Sequence, residues 1–168
     1  MAPRRSGSGR EESESQRLDR NLSELLQELR VALPGVQVLF AFLLTVPFTQ
    51  RFASLTAFQE KLYFGVLLGT ALATVLLIAP TAAHRILFRM QEKEFLVVAS
   101  NRLALAGLAV LAVSMCGVIL LISDVLFGDT AAKVATAAAA VVFATLWFAW
   151  PMIRRLGAEE LEDLERDS

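Results

Sequence analysis

The sequence predicts an all-α polytopic membrane protein with four transmembrane helices and an N-terminal amphipathic interfacial helix. Four windows of about 20 residues contain no Asp, Glu, Lys, Arg or His, and a helix of that length crosses the roughly 30 Å hydrocarbon core of a bilayer. The chain is 55% hydrophobic, whereas a soluble domain is nearer 45–50% apolar. We divide it into a disordered tail at 1–17, a four-helix transmembrane domain at 18–155 and an acidic tail at 156–168.

The segment ahead of the first window changes character near residue 18. Residues 1–17 are mostly Gly, Ser and charged side chains, which bury too little apolar surface to become ordered. The following segment has leucines on one helical face, and Asn21 and Glu24 have the spacing of a capping box. This pattern favours a helix lying on the membrane surface. Its apolar face consists of Leu18, Leu22, Leu25, Leu26 and Leu29.

The remaining signals place four spans and their connections. The spans cover about residues 31–50, 62–83, 103–123 and 134–153. Thr56 and Gln59 predict a capping box before the second span, and Pro47 lies inside the first span near its end. The segment 81–102 is predicted to extend spans two and three as helices, with a turn near residues 91–94.

Basic residues are distributed unevenly around the spans. All but three belong to the N-terminal segment, the segment 81–102 or the C-terminal tail, and the exceptions are Arg51, Lys61 and Lys133. Because positive residues favour the cytoplasmic side, we predict a bacterial plasma-membrane protein with both termini in the cytoplasm. The lipid bilayer is its first expected partner. The formal net charge of −1 gives no reason to expect nucleic acid.

The composition excludes several kinds of chemistry. Cys116 is the single cysteine and His84 the single histidine, so neither a CxxC redox centre nor bis-histidine haem ligation can form within one chain. The sequence shows no nucleophile with a nearby base, no metal-ligand spacing and no phosphate-binding glycine loop. We therefore predict that the protein is not an enzyme and has no catalytic residues, no cofactor and no metal.

Small residues recur at intervals of three and four in the second and third spans. Such rows allow two helix backbones to approach closely. The candidate helix-packing residues are Gly65, Gly69, Ala73, Gly107, Ser114 and Gly117. They are consistent with packing inside one four-helix bundle. The alternative is a homodimer interface along Gly65 and Gly69.

Two further groups of polar residues are candidates for function. Gln37 and Thr45 are polar side chains inside the first span, and an amide in a span usually needs a partner on another helix. His84, Arg85 and Arg89 lie at the end of the second span. They predict either a basic collar that contacts lipid or a site for an anionic ligand.

The run at residues 24–48, ELLQELRVALPGVQVLFAFLLTVPF, resembles a family of small uncharacterised actinobacterial membrane proteins. That family is catalogued as a domain of unknown function, and some members carry an automatic sodium:proton antiporter label. The resemblance continues through His84-Arg85 and the runs at 88–90 and 101–104, and covers roughly residues 20–155. It implies four spans and a cytoplasmic amphipathic start, and it supplies no catalytic residues.

These observations lead to two functional hypotheses. The first is a membrane protein that acts through helix association, either with itself as a homo-oligomer or with a membrane complex. The second is a small secondary transporter or antiporter-like protein. No Asp, Glu, Lys, Arg or His lies within a span, although proton-coupled carriers normally place such a residue inside the membrane. We therefore favour association.

Overall fold

The computed structural model describes residues 14–87, 93–155 and 157, and over these ranges the chain is helical without strands. Four helices follow one another along the chain: α1 (Glu14–Thr45), α2 (Ala57–Leu87), α3 (Lys93–Phe127) and α4 (Asp129–Phe143). The last is prolonged by a wider helical segment so that a helical stretch runs from Asp129 to Arg155. All four stretches are long and apolar enough to cross a membrane, which confirms the predicted all-α class.

Helix α1 is one continuous element, and this corrects the expectation of a separate interfacial helix. Leu22, Leu29, Val36 and Leu43 are spaced by seven residues and are only 5%, 4%, 2% and 5% exposed. This heptad stripe continues without interruption past residue 31, where the first span was predicted to begin, so both halves of the helix face the same neighbours. Leu29 accordingly packs in one cluster with Ala73 of α2 and Leu111 of α3. The helix begins at Glu14, ahead of the predicted boundary at residue 18.

The connection from α1 to α2 begins earlier than the sequence predicted. α1 ends at Thr45, and two short 3₁₀ turns follow at Val46–Phe48 and Gln50–Ser54. Pro47 accounts for this early end, because it lacks an amide hydrogen and disfavours helical geometry in the residue before it. The predicted capping box is confirmed. The backbone N–H of Thr56 donates to Gln59 Oε1 at 2.9 Å, and the backbone N–H of Gln59 donates to Thr56 Oγ1 at 3.3 Å.

Helices α2 and α3 form the centre of the bundle. Both extend beyond their predicted spans, α2 to Leu87 and α3 back to Lys93, so the segment between the spans is largely helical as predicted. The predicted turn near residues 91–94 falls partly outside the described residues, and Lys93 and Glu94 already belong to α3. Helix α1 packs against both α2 and α3. The core contains two clusters, one around Leu77 and the other around Tyr63 and Leu121.

Helix α4 is peripheral. It follows α3 after Gly128, whose φ of +84° is a left-handed conformation that glycine adopts without steric penalty. Among the four described helices α4 contacts only α3, and Ala132 is its single buried residue. The bundle is therefore a three-helix core with α4 attached to one side.

The end of α4 widens into a π-helical segment at Ala144–Ala149. The amide of Trp150 bonds to the carbonyl of Thr145, five residues back. Pro151 explains this geometry, because it cannot donate to the carbonyl four residues back and its ring crowds that carbonyl. The predicted span ended at residue 153, and the helix continues two residues further, to Arg155.

Candidate functional site

Three glycines bring α2 and α3 into close contact. A Cβ atom placed on Gly69 would lie 2.5 Å from Ser114 Oγ, and one on Gly107 would lie 2.8 Å from Leu77 Cδ2. A Cβ on Gly117 would lie 2.5 Å from Val66 Cγ2. Real Cβ atoms do not approach so closely, so these positions accept only glycine unless a neighbour moves.

The other small residues of the same row lie in this contact as well. Ala73 is completely buried, and Ser114 is buried with its hydroxyl donating to the carbonyl of Val110 at 2.9 Å. A hydroxyl that bonds back to its own helix needs no partner on another helix. Five of the six candidate packing residues thus belong to the chain's own α2–α3 contact: Gly69, Ala73, Gly107, Ser114 and Gly117.

Gly65 differs from the other five. No atom comes within 4 Å of a Cβ placed on it, and the residue is exposed. It lines an open groove of about 520 Å³ between α2 and α3, together with Gly69, Ala109, Val113 and Gly117. The lining is apolar apart from Ser114 and from Lys61 at one end. We call this surface the Gly65 groove.

Polar contacts fix α1, α2 and α3 to one another at the end where α2 begins. Gln59 Nε2 donates to Asp124 Oδ2 of α3 at 2.8 Å. The Tyr63 hydroxyl donates to the carbonyl of Leu43 in α1 at 2.8 Å, and its ring meets Phe52 edge-on with centroids 5.3 Å apart. Sequence reasoning missed these contacts, because no local pattern relates residues so far apart along the chain.

Gln37 and Thr45 both lie on the exposed side of α1. The Thr45 hydroxyl donates to the carbonyl of Phe42 at 2.7 Å, so its hydrogen-bonding capacity is used within the helix. The Gln37 amide makes no hydrogen bond to any described residue. The two side chains therefore do not meet in the interior of the bundle. The signal that would have placed them outside is the buried heptad stripe from Leu22 to Leu43, to which neither residue belongs.

The basic residues at the end of α2 form no defined site in the described chain. His84 is half-buried, Arg85 is exposed and Arg89 lies outside the described residues. A cleft of about 360 Å³ lies elsewhere, between the first half of α1 and the start of α3, lined by Asn21, Asn101 and Arg102. In the described ranges, no cluster of three His, Cys, Asp or Glu side chains could hold a metal ion.

Comparison with known proteins gives a family but no activity. No curated protein and no solved structure matches the chain. A family profile described as "Family of unknown function (DUF6328)" matches residues 11–151, which include all but the end of the helical domain. The chain therefore belongs to the DUF6328 family of unknown function.

Proposed function

We propose that this chain is an integral membrane protein that performs no catalysis and acts through lateral association of its helices, with itself or with a membrane complex. The observation that carries the proposal is the Gly65 groove. The groove is apolar and lined by small residues, and Gly65 is the one glycine of the α2 row not occupied by α3.

Helix association in a membrane depends on close packing, because the surrounding solvent is lipid. In a bilayer, apolar side chains gain nothing by leaving lipid, so helices associate where close packing is possible. Glycine and alanine allow that packing, because they let a second backbone approach. The groove contains such residues at Gly65 and Gly69 of α2, one turn apart, and between Ala109 and Gly117 of α3, about two turns. A helix of a partner protein would bury this surface against them.

The peripheral position of α4 supports the same proposal. A four-helix bundle that closed on itself would pack α4 against α1 or α2, whereas here α4 contacts α3 alone within the described helices. Its outward side chains include Val134, Val141 and Leu146, all more than half exposed. In the membrane this leaves a second apolar surface beside the core. The charge asymmetry of the sequence supports cytoplasmic termini in a bacterial plasma membrane.

Replacing Gly65 by leucine tests the proposal. The side chain has room in the monomer, so it would fill the groove without disturbing the α2–α3 contact. We expect Gly65→Leu to reduce the mass of the assembly extracted in mild detergent and the yield of cross-linked species in native membranes. Gly35→Leu is the matched control, because Gly35 is an exposed glycine of α1 with equally open surroundings. An unchanged assembly in Gly65→Leu would contradict the role of the groove.

The second candidate function is a small secondary transporter, including the antiporter-like activity implied by the family resemblance. The observation in its favour is the polar pair Gln37 and Thr45 on one helix. Since both face outward from the described bundle, a pathway that used them would lie between protomers. This alternative therefore also requires association.

A further inference from the structure

Helix α1 carries a second heptad stripe on its exposed surface, roughly 120° around the helix axis from the buried stripe. Pro34, Gln37, Ala41 and Leu44 alternate by three and four residues, which is the spacing of the seam between two helices in a coiled coil. All four are exposed. We call them the α1 seam. The buried stripe from Leu22 to Leu43 already holds α1 against α2 and α3, so the seam is not needed for the fold of one chain.

Exposing the side-chain amide of Gln37 to lipid chains would cost free energy. Gln37 lies seven residues beyond Arg30, about 10 Å along the helix axis, and farther still from Arg51 at the other end. Its amide has two donor hydrogens and an acceptor oxygen, and no described residue bonds to them. Lipid chains offer no hydrogen bond, so a polar group of another polypeptide satisfies this exposed amide better than lipid does.

The geometry points to a second copy of this chain as that partner. Two copies inserted with the same topology are related by a two-fold axis along the membrane normal, so their α1 helices run parallel. A residue then meets its own counterpart at the same depth. A glutamine amide suits this arrangement because it both donates and accepts, and two of them form reciprocal hydrogen bonds. We propose that the protein dimerises through the α1 seam, with the two Gln37 amides hydrogen-bonded to each other across the two-fold axis.

The surroundings of Gln37 fit such a contact. Ala41, one turn along the seam, is small enough to let the two helices approach closely. Leu44, which is 47% exposed, is the protruding side chain of the seam. Small and protruding side chains on the same face are what an isologous interface requires, because each copy supplies both.

This inference rests on the proposed function, since it names one partner for an association protein. It uses a different surface from the Gly65 groove, so the two can fail separately. If only the groove were correct, Gly65→Leu would weaken the assembly and Gln37→Leu would leave it unchanged. The opposite result, a dimer insensitive to Gly65→Leu and sensitive to Gln37→Leu, would keep the seam and remove the groove.

Cysteine cross-linking in native membranes tests the seam directly. The Cys116→Ala background removes the only native thiol. In that background we expect Ala41→Cys to form an intermolecular disulfide on mild oxidation. Phe42→Cys is the control, because it is exposed on the same helix at nearly the same depth but lies about 100° around the axis. Its cross-linked fraction should remain near that of the cysteine-free protein.

The hydrogen bond itself is tested by adding Gln37→Leu to Ala41→Cys. We expect the dissociation constant of the dimer, measured by diluting the protein in lipid, to rise about tenfold. Gln37→Asn retains an amide and should raise the dissociation constant less than Gln37→Leu does. Equal cross-linking of Ala41→Cys and Phe42→Cys would overturn the seam. An unchanged dissociation constant in Gln37→Leu would overturn the role of the amide.

Discussion

Gln59 joins the start of α2 to the far end of α3 through its amide, whose Nε2 lies 2.8 Å from Asp124 Oδ2. The Oε1 atom of the same amide accepts the Thr56 backbone N–H of the capping box. One side chain therefore both starts a helix and fixes its neighbour. The contact is partly buried and involves a carboxylate, the kind of hydrogen bond that contributes most to stability.

We expect Gln59→Leu to lower the free energy of unfolding by about 1–3 kcal/mol, because it removes the cap and the bond to Asp124 together. The rate at which Cys116 reacts with a maleimide in rising dodecyl sulfate measures unfolding, since this thiol is half-buried in α3. Asp124→Leu combined with Gln59→Leu should cost less than the two single changes added together. Strict additivity would show that the pair is not coupled. Gln27→Leu, at an exposed position of α1, is the control.

The first half of α1 is predicted to stabilise the bundle rather than to anchor it to lipid. Leu29 is 4% exposed and packs with α2 and α3, so Leu29→Ala should lower the free energy of unfolding by about 2–5 kcal/mol. The loss should appear in detergent, where no bilayer surface exists. Val31→Ala, at a position 79% exposed, should be close to neutral. A Leu29→Ala protein of unchanged stability in detergent would restore the interpretation as a surface helix.

The sequence predicts the helices better than it predicts their partners. The capping box of Thr56 and Gln59 depends on four consecutive residues, and the structure contains it. The continuity of α1 was also readable, because the spacing from Leu22 to Leu43 is a strict heptad. The change in composition near residue 31 masks that pattern. The capping box of Asn21 and Glu24, by contrast, falls within α1 rather than at its start.

Contacts between distant segments were beyond such reasoning. Rows of small residues indicate that some helix approaches closely, yet they do not say whether it belongs to the same chain. Gly65 and Gly69 are one turn apart, and only Gly69 meets a residue of α3. The isolation of α4 had no sequence signal either, because its alanines are compatible with packing on any side. The π-helical segment follows from Pro151, but a proline near a span end more often marks the end of the helix.

Adding a single methyl group distinguishes a glycine packed in the α2–α3 contact from one that faces the open Gly65 groove. Gly107→Ala places a Cβ 2.8 Å from both Cγ and Cδ2 of Leu77, a side chain that is completely buried. Such overpacking should cost about 1–3 kcal/mol of stability. Gly65→Ala makes the same chemical change in open space and should be neutral or slightly stabilising. Both changes alter helix propensity equally, so the difference between their stabilities, measured by Cys116 reactivity, reports the overpacking alone. Equal stabilities would refute the close approach at Gly107.

Ion flux in proteoliposomes separates the association proposal from transport. Vesicles loaded with a pH-sensitive dye would be challenged with sodium and potassium gradients. We expect no flux above that of empty vesicles, because no Asp, Glu, Lys, Arg or His lies within a predicted span and Gln37 is exposed on the outside of the described bundle. Gramicidin-treated vesicles verify that the dye responds, and protease protection verifies insertion. Transport would become the preferred function if the unmodified protein gave flux and Gln37→Leu abolished that flux at unchanged expression. The α1 seam would then be the wall of a pathway between protomers, because two facing amides at one depth would offer a polar point of passage where lipid offers none.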